Sequence, residues 1–385
     1  MASGNPQEEP RAAPSLATIA REWGRIGCIG FGGPPAHITL LRELCVRRRR
    51  WLTDAEFERA IAATNLLPGP ASTQLAIYCA WRLRGNRGAL LGGVCFIVPG
   101  LVVILALAAV FLSGSPPAWL RGAGMGAGAA VAAVAARAGI DVARPIWDRV
   151  TGRSRVRVLA YGLAGGIAVS LAGPELVLVL LACGAIELLD RRLLSSSWAP
   201  LGAAVAPGGT LALAWTSLKV GALAFGGGFV IVPLLQTDAV SVHHWMTHGQ
   251  FLNAVALGQV TPGPVLQTVA VVGYAAGGLP DALLAALIAF APSFAFILVG
   301  AARFERLLVN VRVRAFLAGA APAAAGAIIG ATVPLAAALG ESWQFAVLAG
   351  AAISMLLLRR GVVPTLLLAA GAGVVAALLG APIPH

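Results

Sequence analysis

Two Pro-Gly-Pro triplets carry the densest set of polar groups in an otherwise apolar chain. Asn65 precedes Pro68-Gly69-Pro70, and Ala71-Ser72-Thr73-Gln74 follows it. Gln259 precedes Pro262-Gly263-Pro264, and Val265-Leu266-Gln267-Thr268 follows that. A helix opening behind each triplet aims free backbone amides past the break, and such N-termini hold anions through those donors and the helix dipole. Hydroxyls and carboxamides in the first turn suit an oxygen-rich anion, although any one of them also serves as a plain N-cap. Asn65 and Gln259 either bond a bound solute or tie down the unwound chain. Two cations complete the set. Lys219 is the only lysine, and Arg25 stands at the equivalent place, each six residues before a Phe-Gly-Gly break at Phe31-Gly32-Gly33 or Phe225-Gly226-Gly227. Ionisable groups inside apolar segments are functional candidates; the competing reading is that each snorkels to the membrane surface.

These breaks recur at one spacing. Phe31-Gly-Gly and Phe225-Gly-Gly lie 194 residues apart, as do the two Pro-Gly-Pro triplets, and so do Gly27 and Gly221, Trp51 and Trp245, Thr53 and Thr247, and Phe57 and Phe251. A gapless register over more than forty positions predicts two homologous halves, 15–192 and 210–385, behind a polar tail (1–14) and joined by a linker (193–209).

Composition says what surrounds them. Of 385 residues 58% are apolar and 11% charged, against about 45–50% and about 25% in soluble domains. So few ions cannot cover a soluble globule of this length, and the 47 Gly and 24 Pro follow no collagen period. The reading is an all-α polytopic membrane protein. The net charge of +12 comes from arginine clusters beside apolar runs, which is a topological signal rather than one for nucleic acid. Apolar stretches read as helices at Gly88–Leu112, Trp119–Ile140, Val158–Ala172, Glu175–Leu189, Asp281–Ala302, Ala315–Leu339, Trp343–Leu358 and Val362–Leu379. Their small residues let helices approach closely.

Loop charges set the relation between the halves. Loops 42–50, 82–87 and 141–157 are basic, whereas their counterparts 236–250, 276–281 and 339–342 lack Lys and Arg; 113–118 and 173–174 lack them, whereas 303–314 and 359–360 are basic. Equivalent loops therefore belong on opposite faces, an inverted-topology repeat. We count about five spans per half, the first of them segment 15–40, plus a re-entrant hairpin at 57–84 and at 251–276 with Pro-Gly-Pro at its tip. Paired broken helices in inverted halves predict a substrate site near the midplane. His37 reads as a packed or interfacial histidine. His243, His244 and His248 have no carboxylate among them to suggest a metal site, and the five cysteines show no CxxC spacing.

At these residues the sequence resembles the chromate ion transporter family. The resemblance rests on Phe31-Gly-Gly-Pro-Pro-Ala-His37, Trp51-Leu-Thr53 with Phe57, Leu66-Leu-Pro-Gly-Pro-Ala-Ser-Thr-Gln74 and Gly88 to Pro99. In the second half it rests on Phe225-Gly-Gly-Gly228, Ala256-Leu-Gly-Gln-Val-Thr-Pro-Gly-Pro264 and Gly273-Tyr274. It implies a multi-pass inner-membrane secondary transporter that exports chromate by alternating access and confers resistance. It also implies that no cofactor is needed; a homo-oligomer is left open. The candidate substrate-binding set is Arg25, Lys219, Gly32, Gly33, Gly226, Gly227, Asn65, Gln259, Pro68, Gly69, Pro70, Ser72, Thr73, Gln74, Pro262, Gly263, Pro264, Gln267 and Thr268. Sulfate or another tetrahedral oxyanion is the alternative cargo, and a membrane enzyme acting on a lipid-linked phosphate is the alternative class. Gln250 and Asn253 stand where the family's second repeat commonly carries acids, which puts proton coupling through such carboxylates in doubt here.

Overall fold

The computed structural model describes residues 13–65, 67, 69–112, 116–171, 176–190, 209–224, 231–301 and 310–382. Of the candidate residues, Pro68, Gly226 and Gly227 lie outside these, as do the tail to residue 12 and the linker 193–208. Among the described residues the chain is helical and contains no strand.

The first half runs α1 (Leu16–Ile29), α2 (Pro34–Arg42, continued as a π-helical turn over Glu43–Arg48), α3 (Asp54–Thr64), α4 (Ala71–Phe111), α5 (Ala118–Asp148), α6 (Arg153–Leu171) and α7 (Leu176–Asp190). The second half runs α8 (Thr210–Leu223), α9 (Ile231–Gln236, continued as a π-helical turn over Thr237–Val242), α10 (His248–Val260), α11 (Thr268–Gly300), α12 (Val311–Gly330), α13 (Thr332–Ala337), α14 (Ser342–Ala352) and α15 (Val362–Leu378). α1 and α8 begin and end 194 residues apart, and so do the two π-helical turns. Each turn closes through a residue in the left-handed region, Arg50 (φ 51°) and His244 (φ 53°). Each next helix opens on a capping box: Thr53 with Glu56 in α3, and Thr247 with Gln250 in α10.

Segment 15–40 is not one helix. Gly32 and Gly33 take positive φ (96° and 72°) and Pro34 occupies the first turn of α2, so the chain hinges there. α1, with 14 residues, is about 21 Å long, short of the ~30 Å hydrocarbon core. α4 is interrupted at Arg84 and Gly85, and α11 at Gly277 and Gly278. The portions before these kinks are short, like α3 and α10; the portions after them are long and apolar. Among the described residues, four stretches are long and apolar enough to cross a membrane: Ala71–Phe111, Ala118–Asp148, Val265–Gly300 and Val311–Ala337.

Packing interleaves the halves. α5 lies against α14 and α15, and its counterpart α12 lies against α6 and α7. Glycines make these approaches: a Cβ at Gly126 would stand 2.2 Å from the Ala369 carbonyl oxygen, and one at Gly326 only 1.8 Å from that of Gly162. α1 packs on α4, α8 on α11, and α4 on α11. Outward faces carry large apolar side chains, such as Val102, Leu287, Val299 and Leu378. Water would not tolerate such a surface; the acyl region of a bilayer does. The chain is a membrane protein.

Candidate functional site

The two Pro-Gly-Pro loops sit where short helices give out. In the first half, Thr64 donates its hydroxyl to the Ala60 carbonyl (2.9 Å) and Asn65, exposed, ends α3. The chain turns at Gly69 (φ 120°), and α4 starts behind Pro70, whose carbonyl accepts the amides of Thr73 and Gln74, both at 3.0 Å. The amides of Ala71 and Ser72 precede that first bond, as at any helix start. In the second half, α10 ends at Val260, Gly263 turns with φ 95°, and a 3-10 turn over Val265–Gln267 leads into α11.

The second-half loop reaches the first-half break. The Gly263 amide donates to the Gly30 carbonyl at 3.0 Å, and His37 Nε2 bonds that same oxygen at 2.9 Å. His37 Nδ1 lies 3.2 Å from Ser72 Oγ, so the imidazole ties the α1 break to the opening turn of α4. His37 is fully buried. It is a packed, positioning histidine. Gly33 adjoins the same loop, since a Cβ there would touch Val265 at 3.7 Å. Gln267 Nε2 donates to the Ile97 carbonyl of α4 at 2.8 Å, and Gly100 leaves room for the Pro262 carbonyl, which a Cβ would meet at 2.0 Å. The reciprocal approach is made by Gly69, where a Cβ would stand 2.5 Å from Gln74 Nε2 and 3.3 Å from Ser293 Oγ of α11. Each loop therefore lies against the long helix of the other half.

Around them lie buried polar atoms with no hydrogen-bond partner: Thr73 Oγ1, Gln259 Nε2, Gln267 Oε1 and Ser293 Oγ. Native interiors leave few such atoms, and each calls for a water, an ion or a ligand. Thr73, Gln259 and Ser293 can all donate. Other candidates are already engaged: Ser72 holds His37, and Thr268 Oγ1 donates to its own chain at Val265 (2.9 Å). Asn65 and Gln259, matched by spacing, differ in setting, one exposed and the other buried. Ser293 escaped sequence reasoning. Its signal is a proline inside a long apolar helix followed by a small residue, Pro99-Gly100 in α4 and Pro292-Ser293 in α11.

The two cations are placed differently from each other. Arg25 points outward, its side chain 55% exposed, 4.0 Å from Glu22. Lys219 is 16% exposed, with Nζ 2.5 Å from Asp238 Oδ2, an oxygen that also accepts from Thr216 Oγ1 at 2.8 Å. Glu22, in turn, is buried between Arg48 and Arg49, each at 2.6 Å. Neither Arg25 nor Lys219 is without a carboxylate. Gln250, at the acid position, completes the capping box of α10, accepting the Thr247 amide at 2.9 Å; Glu56 does the same for Thr53 and also binds Arg82 at 2.7 Å.

A helical membrane protein with two interrupted, polar-lined loops docked across its halves is the architecture of a solute carrier rather than of a structural span. The chain belongs to the chromate transporter family, whose model matches residues 17–188 and 211–377. It is 32% identical over 339 residues to the chromate transport protein of Cupriavidus metallidurans, covering 84% of this chain and 83% of that one. It is 32% identical over 335 residues to the chromate transport protein of Pseudomonas aeruginosa (82% and 80% covered). With the probable chromate transport protein of Synechococcus elongatus it shares 30% over 337 residues (83% and 84%). No solved structure matches the chain.

Proposed function

We propose that this chain is a secondary transporter that carries chromate out of the cell across the inner membrane by alternating access. Family membership supports the cargo; the observation that carries the mechanism is the set of unpartnered buried donors, Thr73, Gln259 and Ser293, at the docked Pro-Gly-Pro loops. A dianion leaving water needs its hydration replaced by hydrogen bonds and its charge balanced. The hydroxyls, the Gln259 carboxamide and the opening amides of α4 supply the first. Lys219 supplies the second when the dianion displaces Asp238 from it, and Arg25 adds a longer-range positive potential.

The halves are inverted in this reading, with residues 57–84 and 251–276 as re-entrant hairpins meeting at membrane mid-depth. α3 and α10, with 11 and 13 residues, are about 16 and 20 Å long, enough to reach the midplane from either face and not to cross. Topology is tested with Arg47→Cys and Ser241→Cys, exposed residues 194 positions apart. A membrane-impermeant thiol reagent applied to right-side-out cells labels Ser241→Cys and spares Arg47→Cys. Labelling of both from one side overturns the inversion.

Transport is tested as uptake of external chromate into everted vesicles, with and without a protonophore. Thr73→Val and Ser293→Ala together lower accumulation at least about tenfold, the effect expected for two hydrogen bonds to a charged group, while the amount of folded protein is unchanged. Unchanged accumulation removes these hydroxyls from the site. Neutral donors do not by themselves distinguish tetrahedral dianions, which keeps sulfate as a second cargo; sulfate competing at equal concentration identifies a general oxyanion site.

A further inference from the structure

Away from the loops the described residues form a large apolar recess, and it opens on the outer, apolar surface of the protein. Its volume is about 720 Å³ and it lies between the end of α5, α6 and α12. The floor is made by Gly162 and Gly166 of α6 against Gly326 and Gly330 of α12, the walls by larger side chains such as Leu163 and Ile329. Leu159, Leu163 and Ile167 are more than half exposed along it. From Val158 to Ile167 the recess follows α6 for about 14 Å, the reach of roughly ten methylenes of an acyl chain.

One end of this recess is cationic. Arg144 and Trp147 line it there, and the Arg155 guanidinium lies 5.1 Å above the Trp147 ring. Residues 141–157 contain five arginines and two aspartates. Most nearby acids are committed elsewhere, Asp141 to Arg137 at 2.9 Å and Glu187 and Asp190 to Arg157; exposed Asp148 is the remaining acid of this stretch, against five arginines. Among the described residues Arg144 has no carboxylate partner. A tryptophan flanked by arginines at the end of an apolar trough is the arrangement of a headgroup site at a membrane interface.

We propose that this recess is a binding site for an anionic phospholipid, with one acyl chain along the α6–α12 glycine floor and the phosphate between Arg144 and Arg155. The glycines are what make it a trough. A Cβ at Gly326 or Gly330 would stand 1.8 or 2.4 Å from an α6 carbonyl oxygen, so a side chain there forces α6 and α12 apart. A lipid seated there packs against both halves at once, because α6 belongs to the first and α12 to the second.

Native mass spectrometry on the purified, delipidated protein tests this with phosphatidylglycerol and phosphatidylcholine of identical chains. Retention of phosphatidylglycerol exceeds that of phosphatidylcholine about thirty-fold, at roughly one unit of basic-residue attraction per arginine. Arg144→Gln with Arg155→Gln removes that preference and leaves a weak, equal retention of both lipids. Leu163→Trp, at an exposed wall position, lowers retention of both. Equal retention of the two lipids by the unaltered protein overturns the proposal, and so does an unchanged preference in the arginine variant.

Discussion

The two halves fasten their first helix to the π-helical turn that follows it, and they do so with opposite charge. In the first half the acid is on the helix: Glu22 of α1 is held by Arg48 and Arg49 at the end of the turn. In the second half the acid is on the turn, where Asp238 takes Lys219 of α8 and the hydroxyl of Thr216. Thr216 occupies the place of Glu22, and Lys219 that of Arg25. What recurs is the fastening; which helix supplies the cation does not. The loop charges account for the exchange. The stretch 42–50 carries five arginines, so a carboxylate on α1 finds a partner there; 236–250 carries no Lys or Arg, so the base comes from α8 and the turn provides the acid. The first pair is redundant and open at its rim. The second rests on a single cation and is nearly closed to solvent.

That difference has a large consequence for stability. Asp238→Asn leaves Lys219 without a counter-charge, and removing one member of a buried pair costs about 3–5 kcal/mol. We expect a marked drop in the melting temperature of the purified protein. Arg48→Gln costs clearly less, because Arg49 still holds Glu22 and Arg48 is 42% exposed. The double variant Lys219→Met with Asp238→Leu separates the fastening from the chemistry. Replacing both partners with apolar groups is often neutral for folding, so its melting temperature returns toward that of the parent while chromate accumulation stays lost. Recovered accumulation in this variant reduces Lys219 to a fastening alone. Equal losses from Asp238→Asn and Arg48→Gln break the comparison of the two halves.

Much of the helical framework is readable from the chain. The apolar stretch Gly88–Leu112 is the post-kink part of α4, and Trp119–Ile140 and Val362–Leu379 fall on α5 and α15. Uninterrupted apolarity and glycine spacing are local properties, and sequence displays local properties directly. The swapped ion pairs are not local. Lys219 and Asp238 are 19 residues apart, and a register that matches like with like sets Lys219 beside Arg25, Thr216 beside Glu22 and Asp238 beside Leu44, so the pairing does not show. The π-helical turns have no distinguishing pattern either, since Glu43–Arg48 and Thr237–Val242 share little beyond a mixture of polar and apolar residues. Within the candidate site, proximity to the breaks picks out Thr73, Gln259 and Gln267. Proximity alone does not tell that Ser72 is engaged by His37 or Thr268 by its own backbone, because those bonds depend on side-chain direction. Ser293 comes from the other half's long helix, more than two hundred residues from Gly69 in sequence, and only the docking of the halves reveals it.

The smallest effect concerns the acid that the second half lacks. Glu56 has two tasks in α3, accepting the Thr53 amide and holding Arg82. Burial raises its pKa, yet these hydrogen bonds and the Arg82 charge outweigh that and hold the carboxyl below its ordinary value. Gln250 performs the first task with its carboxamide oxygen and has no second, because residue 276, at the position equivalent to Arg82, is alanine. The missing acid is therefore a missing ion pair at a helix cap. Gln250→Glu should restore a charged acceptor at the α10 N-terminus, where a carboxylate adds about 0.3–1 kcal/mol through the helix dipole. That gain is present while the new carboxylate is ionised and fades as pH falls through its pKa. Chromate accumulation should stay at the parent level and keep its pH profile. A shifted profile in this variant instead makes position 250 a proton site, and the two caps then differ in function as well as in charge.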